Sequence, residues 1–232
     1  MKKLLIFALA LLSISPAFAQ TDDDEFFSGS VSPFRKSKNY GIFVGPRVGV
    51  TTTTMTQPAE CALYDGAGIG FSGGAAMKIR LGRMSENSDG GTGLLGFGLN
   101  LLYKLNNVNT IGDSKLSLGY FEVPVLVQLY PFYKNTKLNG LYIEAGVDVA
   151  GILSKSPDLL TVQTATNRII YHTGDLKGGD LRIPVGLGYA FRNGLDINLR
   201  YYIGTSELAE NMACKMSTAE LSLAWMFRAG KK

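Results

Sequence analysis

Residues 120–130 read YFEVPVLVQLY, an apolar run that carries a glutamate, a glutamine and a proline. Successive side chains of an extended strand point to opposite faces. Phe121, Val123, Val125, Val127 and Leu129 then share one face, which is unbroken hydrocarbon. Glu122, Pro124, Leu126, Gln128 and Tyr130 share the other, which is mixed and partly charged. Which face turns inward decides what kind of protein this is.

The same alternation recurs in eight segments, 40–50, 68–81, 92–104, 117–130, 139–152, 179–191, 195–204 and 216–228, separated by polar or glycine-rich connections. Each is long enough for a tilted membrane strand, which needs about 9–11 residues. Parity sorts eleven of their charges onto one face. The cations are Arg47, Lys78, Arg80, Lys104, Arg182 and Arg200; the anions are Glu122, Glu144, Asp148, Asp196 and Glu220. The apolar face receives none, which a random scatter would not produce.

Two closed structures use this pattern. A soluble lipocalin-like barrel points its apolar face inward around a ligand, whereas a membrane barrel turns it to lipid and fills its lumen with the polar face. Here the apolar rows are bulky throughout, as in Leu181, Ile183, Val185, Leu187, Tyr189 and Phe191. Glycines sit on the polar face, where a narrow interior must taper. Aromatics of the apolar face (Tyr40, Tyr103, Phe121, Tyr189, Phe191, Trp225, Phe227) lie near segment ends, as interfacial girdles require. The expected fold is an all-β, eight-stranded antiparallel transmembrane up-and-down β-barrel, with residues 40–228 as the barrel. Pro46, Pro124 and Pro184 sit where paired strands need N–H donors, and local bulges are expected there.

The N-terminus, MKKLLIFALALLSISPAFAQ, combines two lysines, a short apolar stretch and Ala17-Phe18-Ala19. It reads as a signal peptide over residues 1–19. No cysteine follows the apolar stretch, which argues against a lipid-anchored terminus. Residues 20–39 and 229–232 are then periplasmic segments. The net charge of +4 falls to +2 once Lys2 and Lys3 are removed, too little to argue for nucleic acid. Connections 51–67, 105–116, 153–178 and 205–215 outlast 82–91, 131–138 and 192–194, which places the first set outside and both termini in the periplasm. Cys61 falls in the first long loop and Cys214 in the last, adjacent once strands one and eight meet. A disulfide across the seam is expected, with two unpaired thiols as the alternative.

The segments YFEVPVLVQLY, LYIEAGVDVAGIL, LRIPVGLGYAF and LRYYIGTSEL, in this order, resemble the PorT-type outer-membrane β-barrel family of Bacteroidetes-like bacteria. The likeness spans roughly residues 40–228, and Glu122-Val123-Pro124 is its most specific piece. It departs at the end, where Phe227 is followed by five residues, although many such barrels finish on the aromatic. The resemblance implies an integral outer-membrane barrel, and the family's namesake is linked to protein secretion.

Chemistry is sparse. The one histidine, His172, lies in the longest loop and reads as an ordinary loop residue, with a lipid-modifying barrel enzyme built on it and a wall serine as a distant third reading; one histidine and two distant cysteines supply no typical metal set. The glycine-rich GFSGGAA and GLLGFG lack a phosphate-loop lysine. No catalytic residue and no cofactor are expected. The lumen charges read either as an ion-paired plug, the favoured reading in so narrow a barrel, or as a narrow solute path. The expected partners are outer-membrane lipid and envelope or secretion-system proteins, around a monomeric, non-enzymatic barrel. The loop 153–178 offers the contact surface, unless it only extends its flanking strands.

Overall fold

A computed structural model describes residues 40–56, 61–62, 64–81, 93–110, 114–135, 137–164, 168–173, 176–207 and 214–229. The expected signal peptide and the segment before residue 40 lie outside these residues. Alternating sequence becomes strand wherever expected: β1 (Tyr40–Thr56), β3 (Tyr64–Leu81), β4 (Leu95–Thr110), β5 (Ser114–Leu129), β6 (Leu141–Ser156), β9 (Gly179–Ala190), β10 (Leu195–Gly204) and β11 (Lys215–Trp225), which resumes as β12 (Phe227–Ala229). Neighbours pair antiparallel in chain order, and β1 pairs with both β11 and β12. The sheet therefore closes on itself as an eight-stranded barrel, leaving no free edge.

The barrel is apolar outside and polar within. Val48, Phe71, Val125, Leu187 and Leu221 face outward and are each more than half exposed. A contiguous apolar belt of this extent is a membrane surface rather than a water-facing one. All eleven charged residues assigned above to the polar face point inward, and none exceeds 7% exposure.

Several strands outrun the segments read from sequence. β1 continues through Thr51–Thr56 and β4 through Asn106–Thr110, stretches that look like loop because their outward positions turn polar. Threonine's branched side chain suits a strand, and the ladder simply continues past the apolar belt. The loop after β6 is also more than an extension of its neighbours. Residues Leu159–Thr164 (β7) and Arg168–His172 (β8) form a hairpin, and β7 pairs with Cys61–Ala62 (β2), giving a separate three-stranded sheet.

The prolines do not make bulges. Opposite Pro46 the seam lapses between Val44↔Phe227 and Arg47↔Ala224, which is why β11 and β12 are separate. The β4–β5 ladder lapses beside Pro124, and the β6–β9 ladder beside Pro184. In each case pairing resumes in the same register, so a missing N–H costs ladder bonds without inserting a residue. The bulges lie elsewhere, around residues 64–71 against β4 and at Gly119–Tyr120 against β6. At the short-connection end, Arg192-Asn193-Gly194 makes the tight hairpin between β9 and β10, with Gly194 at φ +94°.

Candidate functional site

Among the described residues, polar groups converge in the interior, and it is layered. At the end bearing the long loops, Val108, Leu116, Leu118, Leu176 and Met216 form an apolar plug with Cys214, which is fully buried. The Cys61 side chain lies outside the described residues, and so does the expected Cys61–Cys214 bridge. Below the plug comes the charged layer, and at the end bearing the short turns the lumen opens into a vestibule.

One chain of contacts through the charged layer takes a residue from every strand. Asp180 lies 3.7 Å from Arg182 on β9, which pairs with Glu122 on β5. Lys104 on β4 sits 2.8 Å from Glu122 and 2.8 Å from Glu220 on β11. Glu220 reaches Arg47 on β1 at 3.5 Å, and Arg47 donates to Asn198 on β10 at 2.9 Å. Asn198 donates to the Tyr142 hydroxyl on β6 at 3.1 Å, and Lys78 on β3 donates to that hydroxyl at 2.8 Å. Tyr142 in turn donates to Asp196 at 2.9 Å, and Lys78 meets the same carboxylate at 2.5 Å.

Side branches occupy the remaining space. Arg182 also lies 2.8 Å from Asp148, and Arg200 clamps Glu144 from Nε at 2.7 Å and Nη2 at 2.6 Å. Glu144 accepts further bonds from Gln128 and Asn198, each at 2.9 Å. The Lys104 ammonium stands 3.4 Å from the Tyr202 ring centroid, a short cation–π contact in a dry setting. Such pairing is what buried charges require, since an uncompensated one costs several kcal/mol (about 3–5).

Of the eleven charges, ten join these contacts. Arg80 stands apart at the vestibule, donating to the carbonyls of Gly93 at 3.3 Å and Asn139 at 2.7 Å, with its guanidinium 3.8 Å from the Tyr130 ring centroid. Reading charges alone misses the neutral hubs Tyr142, Asn198 and Tyr202. Their parity gives them away, because each shares a face with Glu144, Asp196 or Arg200.

His172 is exposed at the end of β8, away from the lumen layer. Among the described residues no group of three or more His, Cys, Asp or Glu side chains is arranged to hold a metal.

Among solved structures, the chain is similar to Neisserial surface protein A at 13% identity, covering 79% of this chain and 94% of that one with a TM-score of 0.42. It is likewise similar to Ail, the attachment invasion locus protein of Yersinia pestis, solved with the heparin analogue sucrose octasulfate: 12% identity, 81% and 99% coverage, TM-score 0.43. The outer membrane protein OprG from Pseudomonas aeruginosa matches at 13% identity, 82% and 97% coverage, TM-score 0.39. No curated protein matches the sequence. The sequence profile named outer membrane protein beta-barrel domain matches residues 18–210, most of the chain, and the protein belongs to that outer-membrane β-barrel family.

Proposed function

We propose that this outer-membrane barrel is closed and non-catalytic, and that its role in the envelope is structural or interactive. One observation carries the reading: side chains from all eight strands interlock across the lumen, beneath an apolar plug. An eight-stranded barrel has an interior just wide enough to be filled in this way. A solute path would need mobile, hydrated charges, whereas these are paired and buried. The contact surface is then the loop end, which faces outward and carries the β2–β7–β8 sheet. An accessory part in protein secretion is the finer reading, suggested by the PorT-type resemblance, with envelope proteins as partners and a single barrel as the unit.

Planar-bilayer recording on the refolded protein tests the closed lumen. The expected result is silence from protein whose heat-dependent gel shift shows that it has folded. Discrete openings that change amplitude in Arg182→Ala or Glu122→Gln would replace this reading with that of a narrow pore.

A further inference from the structure

The turn end of the barrel opens into a cavity of about 490 Å³ that the lumen contacts leave unfilled. Four cations line it, Lys78, Arg80, Arg192 and Arg228, against one carboxylate, Asp196. Their placement follows from register. Phe43 on β1 pairs with Lys78 on β3 and with Arg228 on β12, so a cation flanks an aromatic ring on each side of one row. Met226 packs with Phe43 on the same wall, and Arg80 stacks on Tyr130 nearer the mouth. Lys78 is committed to Asp196, but Arg80 gives only part of its five-donor fork to backbone carbonyls.

A cavity of this size and lining takes carboxylates adjacent to aromatic rings. The sequence contains one such stretch, DDDEFF at residues 22–27, four acids followed by two phenylalanines. The chain enters the barrel at this end, where Gly41 pairs with Arg80 on the cavity wall. At up to about 3.3 Å per residue, the connection 28–39 is long enough to turn back across the mouth.

We propose that residues 22–27 dock in this vestibule, their carboxylates against Arg80 and Arg228 and their rings against Phe43 and Met226. The rival partner for the acids is the basic run Arg35-Lys36-Ser37-Lys38 in the same segment. The proposal goes beyond the closed-lumen reading and stands whether or not the barrel conducts.

The test is photocrosslinking of the protein in lipid vesicles carrying Phe26→p-benzoylphenylalanine, with the crosslinked site mapped by mass spectrometry. Crosslinks within one chain to Met226 or Leu195 are expected. Neutralising the acids (D22N/D23N/D24N/E25Q) lowers their yield about tenfold, as two weakened surface-type ion pairs predict. That variant alters nothing in the barrel wall, and R228Q, checked by gel shift, lowers the yield from the other side. Crosslinks confined to residues 35–38, crosslinks to a second copy that grow with protein density, or a yield indifferent to neutralisation would each overturn the proposal.

Discussion

Glu122 shows what a single inward side chain does here. It pairs with Arg182 and sits 2.8 Å from Lys104, fully buried, so it compensates two cations at once. Glu122→Gln keeps the shape but removes the charge, and is expected to lower stability by about 3–5 kcal/mol. Urea unfolding in vesicles measures it; a loss below about 1 kcal/mol would mean that the pairs contribute little more than surface ones. A second residue-scale expectation concerns glycine. A Cβ on Gly146 would lie 1.9 Å from the Val125 carbonyl oxygen, whereas one on Gly73 meets nothing within 4 Å. Gly146→Ala should therefore cost about 1–3 kcal/mol and Gly73→Ala at most about 0.5. Equal effects in the same unfolding assay would show that the backbone approach at Gly146 is not limiting. Parity exposes such residues well: the eleven charges assigned to the polar face all point inward, although Asp180, 3.7 Å from Arg182, was not among them. Which partner each finds was not legible, because Arg182 and Glu122, like Lys104 and Glu220, meet across strands that are distant in sequence.

At the scale of the element, the sequence reveals strand cores better than strand ends. Lipid contact imposes the apolar row, so the signal fades where a strand leaves the membrane, although its ladder continues, as in Thr51–Thr56 of β1. The prolines misled for a related reason. Their missing N–H is a real loss, but closure of the sheet holds register on both sides, so no inserted residue is needed. Among the described residues, the β7–β8 hairpin pairs with itself and with β2, outside the barrel ladder. Replacing residues 159–172 by a short Gly-Ser turn should therefore leave folding intact, read as an unchanged heat-dependent gel shift. Failure to fold would make the hairpin part of the barrel's assembly rather than a separable contact surface. Leu176 must remain, because it packs in the plug.

For the whole molecule, the position of the charges sets the response to salt. Mobile ions screen exposed pairs: the Debye length shrinks from about 10 Å at 0.1 M to about 3 Å at 1 M. Ions that cannot enter a filled lumen leave its contacts nearly unscreened. Lys104, Glu122 and Glu220 show no exposure at all, the apolar plug closes one end, and Lys78 with Asp196 forms the floor of the vestibule at the other. The barrel should therefore unfold at nearly the same urea concentration in about 0.1 M and 1 M sodium chloride. The vestibule responds differently, since Arg228 is only partly buried and its attraction for acids is open to screening. One titration thus separates the two ends. A midpoint that falls steeply with salt would mean that ions reach the charged layer through the vestibule, and the lumen would then not be dry.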